Sequence, residues 1–169
     1  SEGIFTLRNV NDTDRVKEYI EENDVKRALI VGAGFIGLEM AENLHEYGIQ
    51  VSVVEMADQV MTPVDYEIAT VVHQHFKSKG VGLHLQEAVT AFRPVEDGID
   101  VVLKSGLVLQ VDMVLLSIGV RPDVKLAREA GLEIGETGGI KVNEFLQTSH
   151  SDIYAVGDAI EFPNPVSGR

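Results

Sequence analysis

The feature that most constrains this chain is a glycine-rich turn between an apolar strand and a helix. Apolar residues 28–31 lead directly into Gly32, Gly34 and Gly37, which are spaced as G-x-G-x-x-G. In such a turn the first glycine permits the bend, the second lets phosphates approach the backbone, and the third lets helix and strand pack closely. The free N–H groups and the dipole at the helix start then attract an anion. The motif therefore predicts a pyrophosphate site.

An acidic residue at the end of the next strand strengthens this interpretation. Glu55 follows the predicted strand Gln50–Val54, where a carboxylate can accept hydrogen bonds from adenosine ribose hydroxyls. It would repel the extra phosphate of NADP, and residues 50–70 contain no Arg or Lys to compensate. The glycine spacing alone is a weak signal, because such glycines are often packing devices. With strand, helix and Glu55 together, it favours a site for NAD(H).

Composition excludes several other classes of function. The chain has 27 acidic residues against 14 Lys and Arg, a formal net charge of −13, which opposes binding to nucleic acids and anionic membranes. No apolar run reaches the length of a membrane span and no signal-peptide pattern is present, so we expect a cytoplasmic protein. The chain has no cysteine, which removes disulfides, thiolate ligands and thiol chemistry from it. His73 and His75, two apart on a predicted helix, point to different faces, so we predict no metal site.

Strand and helix patterns alternate along the first half of the chain. We predict that Asn11 and Asp12 cap a helix over residues 13–22, that a second helix runs from the glycines to about Tyr47, and that a strand spans 81–85. A third predicted helix, 66–79, directs four apolar side chains inward: Ile68, Val71, Val72 and Phe76.

From residue 89 the pattern changes to alternation with period two. It predicts an antiparallel three-stranded meander over 89–95, 99–103 and 107–111. A buried parallel strand at 113–117, a short helix from Arg121 to about Ala130, and short strands at 140–142 and 153–156 follow. We therefore predict an α/β, Rossmann-like fold: a parallel sheet with helices on one face and the antiparallel meander, as a crossover, on the other.

Three motifs together resemble a known family. They are residues 32–39, GAGFIGLE; residues 117–123, SIGVRPD; and residues 148–159, TSHSDIYAVGDA. In this order they resemble the pyridine nucleotide-disulfide oxidoreductases, and most closely the branch of NADH oxidases, NADH peroxidases and coenzyme A-disulfide reductases. The resemblance implies a central NAD(H)-binding domain at 25–145, preceded by an entry segment at 1–24 and followed by a return segment at 146–169 toward an FAD domain.

The resemblance also implies roles for individual residues. Phe35 stands where the family has an aromatic residue, often tyrosine, over the flavin, and Glu39 matches an acid near the nicotinamide, with Ile36 beside it. Gly119 would let the chain pass close to the cofactor, and Asp158 matches the acid that binds the FAD ribitol in complete enzymes. The expected NAD(H)-binding residues are Gly32, Gly34, Phe35, Ile36, Gly37, Glu39, Glu55 and Gly119, and no catalytic residue is expected in this chain.

Alternatives remain open for these residues and for the chain. Phe35 could be a core aromatic, and Glu39 could simply stabilise the start of its helix. A non-catalytic NAD-sensing module and an S-adenosylmethionine-dependent methyltransferase use similar glycine turns, although the closing motif disfavours both.

The resemblance further implies the partners and the reaction of a complete enzyme. They are NADH, an FAD domain and a dimerisation domain, in a homodimer that passes hydride to flavin. With no cysteine and no first FAD motif, we expect the chain alone to be colourless and inactive. The acceptor could be oxygen, peroxide, coenzyme A disulfide, persulfide or an iron–sulfur protein.

Overall fold

The computed structural model describes residues 2–163, which belong to two compact units, Ser1–Gly119 and Val120–Arg169. Within the described residues the helices are α1 (Val10–Glu22), α2 (Phe35–Glu46), α3 (Tyr66–Ser78) and α4 (Lys125–Glu129). The strands, numbered in chain order, are β1 (Ile4–Thr6), β2 (Arg27–Val31), β3 (Gln50–Val54), β4 (Gly82–His84), β5 (Val89–Val95), β6 (Gly98–Leu103), β7 (Val108–Val111), β8 (Met113–Leu116), β9 (Ile140–Lys141) and β10 (Ile160–Glu161).

The first unit is built on a parallel five-stranded sheet. Its strand order is β1-β8-β2-β3-β4, with β2 at the centre, paired with β3 on one side and β8 on the other. From β2 the chain moves through α2 and α3 to β3 and β4, then returns across the sheet to β8. The strand order therefore reverses between β2 and β8. Open α/β sheets bind ligands at such a point, beyond the carboxyl ends of the strands.

Alternation along the central strand divides the core between two layers. Ala28 and Ile30 pack with the buried faces of α1, α2 and α3. Leu29 instead packs against the antiparallel sheet β5-β6-β7, together with Val101 and Leu103. Helices therefore cover one face of the parallel sheet and the meander covers the other, which confirms the predicted fold class.

The described residues of the second unit form little regular structure. Helix α4 is followed by β9, which pairs in parallel with β10. A short 3₁₀ turn, Gly157–Ala159, immediately precedes β10. No helix within residues 2–163 has the combination of length and apolar character that crossing a membrane requires.

Two helix predictions need correction. Helix α1 begins at Val10, and its cap is Asn9, whose side chain accepts a hydrogen bond from the Asp12 N–H, so the prediction of Asn11 and Asp12 as caps was wrong. Helix α3 buries Ala69, His73 and Phe76, whereas two residues predicted to point inward, Ile68 and Val71, are exposed. The prediction chose the wrong buried face of α3, because it assumed that a histidine would not lie in the core.

Short strands were the other source of error. Strand β1, which was not predicted, exists because it pairs with β8 at the edge of the sheet. Residues 153–156 were predicted as a strand but form only an isolated bridge between Tyr154 and Gln147. Segments of two to four residues are strands only when a partner is in place, and the partner lies far away in sequence.

Candidate functional site

A cleft of about 510 Å³ opens at the carboxyl edge of the parallel sheet. The ends of β2, β3 and β8 line its floor, and the connection from β4 into β5 lines one wall. Parallel strands bring their carboxyl ends to the same edge, so the glycine turn, Glu55 and residues 117–119 meet there. Ten of its lining residues were not among the predicted site residues: Val31, Val54, Met56, Glu87, Ala88, Val89, Phe92, Leu116, Ser117 and Ile118.

Gly32 and the preceding residue, Val31, connect the start of the glycine turn to the two neighbouring strands. Its N–H donates to the Val54 carbonyl at 2.8 Å, and the Ser117 N–H donates to the Val31 carbonyl at 2.8 Å. Gly32 has φ +101°, and a Cβ there would overlap the Ser117 carbonyl. A side chain is therefore excluded both by backbone conformation and by space.

The other two glycines of the motif have different surroundings. At Gly37, inside α2, a Cβ would overlap the Gly32 carbonyl oxygen, so glycine permits the close packing of helix on turn. At Gly34, the residue before α2, a Cβ would meet nothing within 4 Å. The protein itself leaves the space beside Gly34 open, where an anion would meet the free N–H groups of the helix.

Glu55 carries a structural bond that its sequence position did not reveal. Its Oε2 accepts from the Ala33 N–H at 2.7 Å, and its Oε1 accepts from the Ala57 N–H at 2.9 Å. Each carboxylate oxygen has two lone pairs, so both can still accept from a ribose hydroxyl. Glu55 therefore fixes the position of Ala33 within the glycine turn.

The residues expected at the nicotinamide end lie on the first turns of α2. Phe35 is 56% exposed and Ile36 is 42% exposed, which is high for large apolar side chains on a structured helix. Glu39 is exposed one turn further on. These exposed side chains are available to a ligand or to another protein surface.

Gly119 and Asp158 occupy separate units. Gly119 follows β8 with φ +105°, in a conformation that favours glycine. Asp158 is exposed in the 3₁₀ turn of the second unit. In the described part of the chain, no group of three or more His, Asp or Glu residues could hold a metal ion.

The sequence model of the pyridine nucleotide-disulphide oxidoreductases matches residues 1–167. The chain belongs to this family. It is 40% identical over 169 residues to a NADH oxidase of Methanocaldococcus jannaschii, and the matched region covers 99% of this chain and 37% of the relative. It is 33% identical over 160 residues to a coenzyme A disulfide reductase of Staphylococcus haemolyticus, covering 95% of this chain and 36% of the relative.

Solved structures of similar proteins agree with the fold. Reduced Bacillus anthracis CoADR-RHD is 51% identical, with a TM-score of 0.93, over 100% of this chain and 30% of that one. A NAD-dependent persulfide reductase from A. fulgidus is 38% identical, with a TM-score of 0.92, over 100% of this chain and 31% of that one. This member of the family thus spans about a third of the length of these relatives.

Proposed function

We propose that this chain is the NAD(H)-binding domain of an FAD-dependent pyridine nucleotide-disulphide oxidoreductase and presents nicotinamide for hydride transfer to flavin. The observation that carries the proposal is the open space beside Gly34 at the start of α2, within a turn that Gly32 and Gly37 fix. The relatives named as NADH oxidase and NAD-dependent persulfide reductase support the choice of ligand.

The residues that line the cleft are chemically suited to a dinucleotide. Backbone N–H groups at the start of α2 would bind the pyrophosphate, with the positive end of the helix dipole behind them. Glu55 would accept from the adenosine ribose while keeping its bond to Ala33. The apolar wall, which includes Val89 and Phe92, would contact the adenine ring.

The other half of the dinucleotide would extend over the first turns of α2. Phe35 offers an aromatic surface for stacking, and Glu39 offers an acceptor one turn further along. Bound NADH supplies a hydride at nicotinamide C4. This chain would fix the orientation of the nicotinamide ring and its distance from the flavin. The rate of hydride transfer depends on both.

Cofactor discrimination tests the proposal. A carboxylate at the ribose disfavours the extra phosphate of NADPH, so calorimetric titration should show NADH binding more tightly by about 1–3 kcal/mol, roughly 5- to 150-fold. Glu55→Gln should narrow this preference because it removes the negative charge. Asp58→Asn is the matched control, since Asp58 is an exposed carboxylate three residues further along the chain, and it should leave the preference unchanged.

The outcomes separate the parts of the proposal. If neither NADH nor ADP-ribose binds, the proposed function is wrong. If both nicotinamide cofactors bind equally, Glu55 does not select between them, although the pyrophosphate site would stand.

A further inference from the structure

A buried histidine on α3 makes a bond that the dinucleotide site does not explain. His73 is 8% exposed, and its Nε2 accepts from the backbone N–H of Val60, itself 1% exposed, at 3.2 Å. An imidazole nitrogen accepts a hydrogen bond only when it carries no proton. The bond therefore requires a neutral His73 with its proton on Nδ1.

The residue after Val60 is bonded to the glycine turn. The Met61 N–H donates to the Ala33 carbonyl at 2.9 Å. Ala33 lies between Gly32 and Gly34, and its own N–H donates to Glu55. The Val60-Met61 segment thus connects α3 to the turn that would hold the pyrophosphate.

This connection depends on its hydrogen bonds. Met61 has φ +50°, a left-handed conformation that residues with a Cβ rarely adopt. The Val64 N–H donates to the Met61 carbonyl, and Gln59 Nε2 donates to the Val64 carbonyl, so the loop is folded back on itself. If the Val60 N–H lost its acceptor, a buried donor would be unpaired in a loop that already holds a disfavoured conformation.

We propose that neutral His73 is a positioning residue: it holds Val60-Met61 against Ala33 and so keeps the glycine turn in the shape that binds a pyrophosphate. Protonation turns the acceptor into a donor, releases the Val60 N–H and weakens dinucleotide binding in acid. The ligand named here rests on the proposed function, whereas the response of the loop to His73 requires no ligand.

The surroundings of His73 favour its neutral form at neutral pH. Burial lowers the pKa of His73 below its ordinary value of 6.5, and the positive charge of Lys77, one turn further along α3, lowers it more. The ring of Tyr66 lies 6.3 Å from that of His73, and although the loop that contains Val60 also carries the carboxylates of Asp58 and Asp65, the pKa of His73 is lowered. Because the folded state has the lower pKa, the bond is intact above pH 6.5 and is lost as the pH falls through the folded-state pKa.

The test compares His73→Leu, which removes the acceptor, with His73→Gln, which can restore an acceptor that does not titrate. His75→Leu makes the same change at an exposed site on the same helix and is the matched control. For each protein, amide hydrogen-exchange protection factors of Ala33, Val60 and Met61 and the affinity for ADP-ribose are measured between about pH 8 and about pH 5.

Wild type and the His75→Leu control should lose protection at Val60 and Met61, and affinity for ADP-ribose, as the pH falls. In His73→Leu, protection at Val60 and Met61 and affinity for ADP-ribose should already be roughly tenfold lower at neutral pH. Neither should show an acid transition that depends on residue 73. His73→Gln should keep protection and affinity at neutral pH and lose the acid transition.

Equal protection and equal affinity in wild type and in folded His73→Leu would overturn the inference. If His73→Leu does not fold, His73→Gln decides: an acid transition as large as that of wild type would also overturn it. If wild type binds no ADP-ribose at any pH, the proposed function fails, and the protection factors still test whether His73 holds the loop.

Discussion

The carboxylate of Asp112 accepts hydrogen bonds from both the guanidinium and the backbone N–H of Arg27. Asp112 Oδ1 accepts from Arg27 Nη2 at 2.6 Å and Nε at 3.1 Å, and Oδ2 accepts from the backbone N–H groups of Lys26 and Arg27, each at 2.8 Å. Asp112 separates β7 from β8, and Arg27 begins β2. The pair therefore fixes the start of the central strand to the end of the meander, at the edge of the sheet opposite the cleft.

Removing this carboxylate should destabilise the first unit. Asp112→Ala leaves two backbone donors without their acceptor and removes the carboxylate partner of a partly buried guanidinium, so we expect a loss of about 1–3 kcal/mol in the free energy of unfolding. Glu129→Ala, which removes the exposed carboxylate of the Lys125–Glu129 pair, should change it by less than about 0.5 kcal/mol. Urea unfolding at neutral pH measures both, and equal effects would contradict the role of Asp112.

The contribution of Asp112 should disappear in acid. Burial by itself would raise the pKa of Asp112, but hydrogen bonds from Arg27 and Lys26 outweigh it and hold the pKa below its ordinary value of 3.8. A lowered folded-state pKa gives stability that is present above pH 3.8 and is lost as the pH falls through the folded-state pKa. The stability difference between wild type and Asp112→Asn should therefore shrink below that pH. Other carboxylates titrate in both proteins, so a difference independent of pH would contradict this assignment.

Sequence patterns located the elements that carry their own signals. Strand β2, helix α2 and the meander were predicted because an apolar run, a glycine motif and alternation with turns are local features. The inward face of α3 was not, because His73 enters the core only through its bond to Val60, thirteen residues earlier in the chain. A hydrogen bond between a side chain and a distant backbone N–H does not change the spacing of apolar residues, so the sequence pattern cannot predict it.

The candidate site shows the same division. Gly32, Gly34 and Glu55 were identified from spacing, and the structure brings them to one cleft, but their roles as ligand contacts stay predictions. The bonds that hold Ala33 from both sides, to Glu55 and Met61, could not be predicted. Both bonds are made by the backbone of Ala33, whose partners depend on the fold and not on the residue type of Ala33.

The contrast between Gly34 and Gly37 gives a prediction that separates folding from binding. Gly37→Ala would drive a Cβ into the Gly32 carbonyl, so it should cost about 1–3 kcal/mol of stability and also impair binding. Gly34→Ala meets open space, so it should change stability by less than about 1 kcal/mol. It should nevertheless weaken ADP-ribose binding roughly tenfold, since its methyl group would occupy the space of the phosphates. Unfolding curves and calorimetry on both variants measure the split, and undiminished binding by Gly34→Ala would place the pyrophosphate elsewhere.

The two halves of the dinucleotide should also respond to different substitutions. Phe35→Ala removes an exposed aromatic surface at the start of α2, so it should weaken NADH binding by about 1 kcal/mol, roughly fivefold, through lost stacking. Glu39→Ala should weaken NADH binding in the same direction. Neither change should affect ADP-ribose, which has no nicotinamide, whereas Glu55→Ala should weaken both ligands because it acts at the adenosine end and on the turn itself.

Two exposed residues at the far end of α2, Glu46 and the C-cap residue Tyr47, provide the controls. Tyr47→Ala removes an exposed aromatic ring at the far end of α2, and Glu46→Ala removes an exposed carboxylate two turns beyond Glu39 on the same face. Both should leave NADH and ADP-ribose affinities unchanged in calorimetric titrations. If Phe35→Ala and Glu39→Ala weakened ADP-ribose as much as NADH, these residues would support the helix and would not contact nicotinamide. The selective loss of NADH affinity is the result that assigns them to the reactive end of the cofactor, because it depends on a ring that only NADH carries.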